Sequence, residues 1–374
     1  ADGDLDLVVG SGGNHLPAQS SVYLDRLYLN DGEGRFEKQK IAMPAVLENT
    51  SSIIPVDLDG NGKEDLIVSY LGIPQKYGVS SGVRILINQG AGRFLDFTNL
   101  IAPKLRGIGM ITAVKVVDLE GDEYPDLVFA GEWTPVYVLN NEKGKFELSE
   151  IPKSRGLWRS LAITDVDGDG DLDILGGNQG MNTFLNSRMP AGMWWGDFDG
   201  NQVLEGVLYN FQEGKYWPLP GRDLLIKQMT AYKKEHSSYE AFAQDEVKQY
   251  FENGRNYQLD ELASGWFEKE EKGYRFRPFP TELQWAPIFA MVQVEWEQPW
   301  MLFGGNFYEQ SPYIGRSDAG LLEMAAFDRK KEDWEVVSGA LRPMVKGQIR
   351  KMVVTNQNGV IIARNNQSLL YLAR

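Results

Sequence analysis

Short apolar runs of about four to six residues recur along the chain, separated by segments rich in Gly, Asp and Asn. Residues 52–56 and 66–70 form one such pair, and residues 113–117 and 127–130 form another. Runs of this length, rich in Val and Ile and bounded by turn residues, predict β-strands rather than helices. The pattern therefore predicts a protein built from short strands.

Two motifs repeat in register with these strands. The first is an acidic loop of nine residues, which in its fullest copy at 165–173 reads Asp-Val-Asp-Gly-Asp-Gly-Asp-Leu-Asp. Further copies lie at 57–65, 118–126 and 197–205, and residues 2–6 match the last five positions. The second motif is an apolar run ending in Asn, then a Gly turn and Phe, found at 27–36, 85–94 and 137–146, and in weaker form at 266–276. The unit of about 50–60 residues is thus two hairpins, as in a propeller blade.

The repeat predicts an all-β fold, a seven-bladed β-propeller of four-stranded antiparallel blades that occupies residues 1–374 as one domain. The first blade is incomplete, because the chain begins inside a motif, and we interpret the chain as a fragment of a longer protein. The last two blades, around 289–303 and 351–363, have no acidic loop. A solenoid or a pair of sandwiches is the alternative fold.

One segment departs from the strand pattern. Residues 221–253 space their apolar side chains as helices do, and Ser237 with Glu240 forms a possible capping box. We predict a helical hairpin inserted into the fifth blade. It would serve as a structural cover or as a functional lid.

The acidic loops have the chemistry of calcium sites. Ca²⁺ takes six to eight oxygen ligands, and side chains at positions one, three, five and nine with the carbonyl of position seven would supply them, while Gly at positions four and six lets the loop curl. We expect two to four ions, bound best at 165–173, then at 57–65, and less well in the two loops where Glu120, Glu123, Gln202 and Glu205 depart from the pattern. The alternative is a set of acidic turns without metal. The candidate ligands are Asp57, Asp59, Asn61, Lys63 and Asp65; Asp118, Glu120, Asp122, Tyr124 and Asp126; Asp165, Asp167, Asp169, Asp171 and Asp173; and Asp197, Asp199, Asn201, Val203 and Glu205.

The composition limits the kinds of partner and site that the chain can have. The net charge of −14 argues against nucleic acid, and no apolar run is long enough to cross a membrane. Without Cys, thiolate zinc sites and disulfides are impossible. The two histidines, His15 and His236, lie in no recognisable catalytic motif.

The strand ends opposite the acidic loops carry Asn, Arg and Trp, which could bind a glycan or a protein. The competing interpretation is that Gly-Asn pairs make turns and the Trp rings pack between blades. Connections at 14–26, 72–82 and 307–319 add Tyr23, Tyr77, Tyr308 and Tyr313 as recognition-loop candidates. The candidate ligand-binding residues are Trp133, Trp158, Arg159, Asn178, Trp195, Trp285, Asn306 and Asn365.

These loops and strands resemble the FG-GAP, or VCBS, repeats of integrin-α-type propellers. Four further stretches resemble the large exported VCBS-repeat proteins of Bacteroidota: Gly-Glu-Trp-Thr-Pro at 131–135, the segment 216–223, Gly-Gly-Asn-Phe at 304–307 and Ala-Arg-Asn-Asn at 363–366. Some of those proteins also carry an ASPIC/UnbV domain, which is not found in this sequence. The resemblance implies a seven-bladed propeller with calcium in its loops, located outside the cytoplasm or on the outer-membrane surface.

Two functions follow as hypotheses. The first is a non-enzymatic, calcium-stabilised binding or scaffold module, a possible subunit of a surface complex, with its ligand on the face opposite the metal, as in integrins. The second is a polysaccharide lyase or hydrolase on a propeller scaffold, which rests on fold analogy. Because no catalytic constellation is visible in the sequence, we favour the module.

Overall fold

A computed structural model describes residues 3–40, 42–185, 190–311, 314–338 and 344–373. Strands make up 43% of the structure and helices 10%. The described strands form seven antiparallel sheets, four of which have four strands in a single ordered path. The all-β class and the four-stranded antiparallel blade are confirmed, and the closure of seven blades stays a prediction.

The chain divides into two compact units. The first comprises residues 1–154, 158–176 and 267–276, and the second comprises residues 155–157, 177–266 and 277–374. In the described ranges, no helix has the length and apolarity needed to cross a membrane.

Three sheets follow one another at the start of the first unit. The first sheet has three strands and the next two have the order expected of paired hairpins, with each strand hydrogen-bonded to its neighbour in sequence. A short helix, α1 (Thr98–Ile101), lies between the second and third sheets, and two 3₁₀ turns lie at Ser21–Tyr23 and Pro103–Leu105. The strands are β1 (Leu7–Val9), β2 (Arg26–Asn30) and β3 (Phe36–Lys38); β4 (Asn49–Val56), β5 (Asp65–Gly72), β6 (Val83–Asn88) and β7 (Phe94–Asp96); and β8 (Met110–Val117), β9 (Asp126–Thr134), β10 (Tyr137–Glu142) and β11 (Lys145–Glu150).

The fourth sheet is interrupted by a fifth. After the two-residue strand β12 (Gly156–Leu157), strands β13 (Ser160–Thr164) and β14 (Asp173–Gly177) begin the fourth sheet. The chain then builds the whole fifth sheet before it returns with two more strands to complete the fourth. The fifth sheet contains β15 (Ala191–Gly196), β16 (Glu205–Gln212), β17 (Lys215–Pro218) and β18 (Arg255–Gln258), and the returning strands are β19 (Gly265–Glu270) and β20 (Gly273–Pro278).

The hairpin at 266–276 therefore completes the sheet that carries the 165–173 loop. Two contacts explain this pairing. The Lys269 N–H donates to Asp173 Oδ1 at 2.9 Å, and the fully buried Trp158 ring packs on Phe267 and Phe276 at centroid distances of 5.5 and 6.3 Å. The fifth sheet is an insertion between the second and third strands of the fourth, which the spacing of the motifs does not reveal.

The helical segment lies where the sequence predicts it, between β17 and β18. It contains three short helices rather than a two-helix hairpin: α2 (Arg222–Gln228), α3 (Tyr232–Glu235) and α4 (Tyr239–Gln244), followed by a 3₁₀ turn at Val247–Tyr250. Ser238, not Ser237, caps α4, because its side chain accepts the Ala241 N–H. Leu225, Met229 and Phe251 are buried against the fifth sheet.

Two more sheets complete the second unit. Neither carries an acidic loop of the nine-residue type, as the sequence predicts. A 3₁₀ turn at Thr281–Gln284 precedes them. Their strands are β21 (Ile288–Glu295), β22 (Pro299–Gly305), β23 (Glu323–Asp328) and β24 (Asp333–Val336), and β25 (Ile349–Val354), β26 (Val360–Arg364) and β27 (Leu370–Leu372).

Candidate metal-binding loops and the opposite strand ends

Each of the four complete acidic loops joins two adjacent antiparallel strands. In the second, third and fifth sheets the ninth loop residue pairs with the last residue of the preceding strand: Asp65 with Val56, Asp126 with Val117, and Glu205 with Gly196. The loop is therefore the tip of a hairpin, and any ion held in it would tie two strands together.

The first residue of each loop shapes the turn. Asp57 accepts N–H groups from Asn61 at 3.0 Å and Gly62 at 2.8 Å, and Asp197 accepts the equivalent groups of Asn201 and Gln202 at 3.1 and 2.9 Å. These bonds satisfy backbone donors inside a tight turn. They leave further lone pairs on each carboxylate for a cation, since an ionised carboxylate has about four acceptor sites.

The sixth residue adopts a left-handed backbone conformation in every copy, whether or not it is glycine. The φ angles are 81° at Gly62 and 101° at Gly170, and they are 72° at Glu123 and 67° at Gln202. Loss of glycine at this position therefore leaves the turn type unchanged. The cost is backbone strain, because left-handed φ crowds the Cβ of an ordinary residue.

The ninth residue is the most buried acid of each loop. Asp65 is 0% exposed and accepts N–H groups from Leu58 at 3.2 Å and from Asn88, in the third strand of the sheet, at 2.8 Å. Asp173 is bonded in the same way by Val166 and Lys269. The ninth carboxylate thus joins the loop to the outer hairpin, which is the hairpin formed by the third and fourth strands of the same sheet. The spacing of acidic residues in the sequence does not show this role.

In the first sheet Asp6 accepts the Asn30 N–H at 3.0 Å, as the ninth residue does elsewhere, while Asp2 lies outside the described residues. In the third sheet the corresponding partner is Asn141, whose N–H donates to Asp126 at 2.8 Å and whose side chain donates to the Pro125 carbonyl. The sequence motif singles out Asn140 instead, because an apolar run followed by Asn fits both positions.

Three of the four loops bring carboxylates together. In each, three acidic oxygens lie within 4.8 Å of one another. Hard oxygen donors at this spacing, on a turn fixed by its own backbone bonds, suit a divalent cation. The converging sets are Asp57, Asp59 and Asp65; Asp165, Asp167 and Asp169; and Asp197, Asp199 and Glu205. The loop at 197–205, which the sequence ranks low, converges like the two ranked above it.

Burial, together with the neighbouring carboxylates, raises the pKa of the ninth residue in three of these loops. Burial is the main cause that raises the pKa of Asp173 to about 6, with a smaller contribution from the nearby Asp167 and Asp169 carboxylates. Burial also raises the pKa of Asp65 and of Glu205. Each shift reflects a carboxylate whose charged form is poorly solvated in its buried position.

The loop at 118–126 differs. In the parts of the chain that the structure describes, it forms no such triple convergence. Glu120 lies beside Asp126, and burial together with that hydrogen-bonded carboxyl raises the pKa of Glu120 to about 6. The loop opens on a cavity of about 510 Å³, which is also lined by Asn140, Lys143 and Lys145.

Of the side chains proposed to bind a ligand, four are buried. Trp158 and Asn178 are 0% exposed, Asn306 is 2% and Trp133 is 3%. The Trp158 Nε1–H donates to the Ser154 carbonyl, Asn178 bonds the backbone of Leu157 and Ala263, and the Asn306 side chain bonds Gly320 and Gly347. Their contacts match the turn-and-packing interpretation of these residues.

Trp195 is not at the end predicted for it. It is the penultimate residue of β15, directly before the acidic loop, because that strand begins only at Ala191. The Arg255 guanidinium lies 5.5 Å from its ring centroid. Trp195 therefore belongs to the acidic-loop end of the fifth sheet.

In the first unit, Arg159 and Trp133 meet Glu132 and Tyr77 at the ends opposite the acidic loops. Arg159 forms an ion pair with Glu132, whose other oxygen accepts the Tyr77 hydroxyl. The Trp133 Nε1–H donates to the same hydroxyl at 2.8 Å. Burial of that hydroxyl beside the Glu132 carboxylate raises the pKa of Tyr77. Glu132 is not among the site residues predicted from the sequence. Its position between Gly131 and Trp133, at a predicted strand end, is the sequence feature that could have identified it.

In the second unit, the corresponding ends carry a small open cavity of about 200 Å³. Phe184 is 61% exposed at this cavity, and Trp285, which is 37% exposed, accepts a hydrogen bond from Asn182 through its carbonyl. Asn365 is also exposed. Tyr313 lies outside the described residues. The cavity is lined by Asn182, Thr183, Phe184, Gln310, Ile314, Arg316 and Ser317.

Comparison with known proteins supports the repeat assignment. The family model of the FG-GAP-like repeat matches residues 1–68 and 118–176, which include three of the acidic loops. The chain carries FG-GAP-like repeats. A search of curated proteins found no match.

Solved structures give weaker likenesses. The Pseudomonas aeruginosa periplasmic gluconolactonase PpgL is 14% identical, with 99% of this chain and 92% of that chain covered and a TM-score of 0.40. An Agrocybe aegerita protein described as recognising non-reducing terminal N-acetylglucosamine is 19% identical over 52% of this chain, which spans 46% of its length, with a TM-score of 0.27. The V. cholerae biofilm matrix protein Bap1 is 13% identical, with coverages of 80% and 41% and a TM-score of 0.31. None of these assigns a function to this chain.

Proposed function

We propose that this chain is a calcium-stabilised FG-GAP-repeat binding module of an exported or cell-surface protein. The observation that carries the proposal is the convergence of three carboxylates in each of three hairpin loops. The residues fit the ion chemically, since all donors are hard oxygens and no basic side chain in the described part of the chain forms an ion pair with the buried Asp65, Asp173 or Glu205. Bound Ca²⁺ would supply positive charge, and the chain's own residues would hold the hairpin shape around it.

Chelation tests the metal. Adding EGTA should lower the melting temperature by several degrees, and restored Ca²⁺ should recover it, because a ligand that binds only the folded state stabilises it. Asp59→Asn and Asp167→Asn should each reduce the number of bound ions by one. Asp318→Asn, an exposed aspartate outside the loops, is the matched control. A melting curve unchanged by EGTA would refute structural calcium.

Ligand recognition is proposed at the strand ends opposite the loops in the second unit. The 200 Å³ cavity is lined by the polar residues Asn182, Gln310 and Arg316 together with the exposed Phe184. A few directed polar groups beside an aromatic surface form a common arrangement for binding small ligands. We therefore favour a glycan over a large protein partner at this cavity.

A glycan array probed with the whole chain tests this assignment. Phe184→Ala and Asn182→Ala should weaken any glycan signal at least tenfold. Leu100→Ala, which removes an exposed apolar side chain from the first unit, should not. Trp285→Ala tests the neighbouring ring. Binding that survives all three substitutions would place the ligand elsewhere.

The polysaccharide-active enzyme remains a second candidate because of one cluster. Tyr77, Glu132 and Arg159 form a connected phenol, carboxylate and guanidinium, which is chemistry that proton transfer at a sugar could use. Release of reducing ends or of unsaturated uronates from a polysaccharide panel, lost in Tyr77→Phe and Glu132→Gln, would support it. Activity retained by both variants would exclude this cluster.

The cellular location and the relationship to Bacteroidota VCBS-repeat proteins are part of the same proposal. Both rest on the sequence resemblance at 131–135, 216–223, 304–307 and 363–366. Fractionation of the source cells with an antibody to this chain tests the location. Recovery in the cytoplasmic fraction alone would contradict it.

A further inference from the structure

The acidic loop at 118–126 has a lysine beside it. Lys269 projects from β19 of the fourth sheet, and its Nζ lies 3.7 Å from Glu120 Oε1. Within the described ranges, this is the one ion pair of 4 Å or less between a lysine and any of the four complete acidic loops. Lys269 and the loop both belong to the first unit.

Both the backbone and the side chain of Lys269 contact neighbouring groups. Its backbone N–H donates to Asp173, the buried ninth residue of the neighbouring loop, at 2.9 Å. Its ammonium group lies 5.0 Å from the centroid of the Tyr274 ring across the hairpin. The side chain is 27% exposed, so it is held between the hairpin and the loop rather than extended into solvent.

The loop itself departs from the others at the residue that Lys269 meets. Position three is Glu120 here and Asp in the other three copies. A longer side chain reaches farther from the turn, and among the residues that the structure describes this loop shows no three-acid convergence of the kind found in the other three. Two more lysines, Lys143 and Lys145, line the cavity on which it opens. The donor set is therefore a poor cage for a metal ion, and the Lys269 ammonium group already lies within 4 Å of one of its carboxylates.

We propose that the 118–126 loop binds no calcium and that the Lys269 ammonium takes the place of the ion there. The lysine supplies positive charge to Glu120 with its side chain and holds Asp173 with its backbone. A single residue thus links the metal-independent loop of the third sheet to the adjacent metal-binding loop of the fourth. The inference rests on the proposed function for the other three loops.

Counting bound ions tests whether the 118–126 loop binds calcium. Ca²⁺ per chain is measured by equilibrium dialysis for the wild type, Glu120→Gln and Asp167→Asn. We expect Glu120→Gln to bind as many ions as the wild type and Asp167→Asn to bind one fewer. Loss of one ion in Glu120→Gln would overturn the inference.

Thermal melting in EGTA tests, in the absence of metal, whether the Lys269 ammonium stabilises this loop. Lys269→Met keeps the aliphatic stem and removes the charge, and we expect it to lower the melting temperature by about 1–3 °C, as for a partly exposed ion pair. Lys269→Arg should stay near the wild type. Lys272→Met, an exposed lysine in the same hairpin turn, is the control and should change little.

A double-mutant cycle separates the interaction between Lys269 and Glu120 from the effect of each substitution on folding in general. If Lys269 acts through Glu120, Lys269→Met should cost much less in a Glu120→Gln background than in the wild type. Equal costs in both backgrounds would overturn the inference even if all variants fold. A wild type that binds no calcium at all would refute the proposed function, and the cycle in EGTA would still decide the role of Lys269.

Discussion

The metal-free protein should lose stability as pH rises from about 4 to 6, and Asp173 should account for much of the loss. Asp173 is 3% exposed, and burial is the main cause that raises its pKa to about 6 from 3.8. Because the folded pKa is the higher one, the folded chain holds this proton more tightly than the unfolded chain. The stabilisation is complete below pH 4 and is lost as pH rises through 6.

The size of the effect follows from the shift. Roughly two pKa units at about 1.4 kcal/mol each give about 3 kcal/mol as an upper figure for the free energy of unfolding. At about 2–4 °C per kcal/mol, the melting temperature should fall by up to about 10 °C between pH 4 and 7. Calcium in the loop would compensate the Asp173 charge, so saturating Ca²⁺ at pH 7 should reverse most of the fall.

Calorimetry in EGTA at pH 4, 5, 6 and 7 measures this profile, with parallel scans in excess Ca²⁺. Asp173→Asn should flatten the EGTA profile, because the amide does not titrate. Asp318→Asn controls for removal of one negative charge from a chain of net charge −14. An EGTA profile in which the wild type and Asp173→Asn run parallel would refute the reasoning, since the slope would then come from other groups.

Three further predictions concern the loops and the strand ends. Gln202→Gly should raise the free energy of unfolding, measured in urea, by about 0.5–1 kcal/mol, because relief of about 1–2 kcal/mol of left-handed backbone strain exceeds the entropy cost of glycine. Gln212→Gly, at the end of β16, should destabilise the protein instead. Asn141→Ala should lower the unfolding free energy by about 1 kcal/mol and Asn140→Ala by less, because it is the Asn141 side chain that donates to the Pro125 carbonyl and accepts the Gly144 N–H. The reverse order would contradict the role given to Asn141. Trp158→Ala should cost about 3–5 kcal/mol, since the ring is fully buried, and Trp285→Ala below about 1 kcal/mol; similar costs would show that the two rings are packed alike.

The repeats were predictable because each blade repeats its local chemistry. Acidic residues at alternate positions with Gly between them define a turn, and short apolar runs on both sides define its strands. The positions of β4, β5, β8 and β9 follow from that pattern. Local backbone preferences decide such features within about ten residues, so no long-range contact is needed to specify them.

The pairing of the outer hairpins was not predictable in the same way. The chain places a complete sheet between Gly177 and Gly265, and only the bond from Lys269 to Asp173 and the packing of Phe267 on Trp158 show which loop the hairpin at 266–276 serves. Similarly, Trp158 and Trp285 look alike in the sequence, yet one is fully buried and the other is partly exposed.

The sequence by itself determined the all-β class, the repeat, the acidic loops and their donor atoms, because these depend on residue type and spacing. The tertiary structure decided which carboxylates converge, which residue fastens each loop to its sheet, and that a lysine from another sheet lies beside Glu120. Convergence and burial depend on contacts between residues far apart in the chain. The free energy of a charge depends on those surroundings, so spacing alone could not rank the four loops.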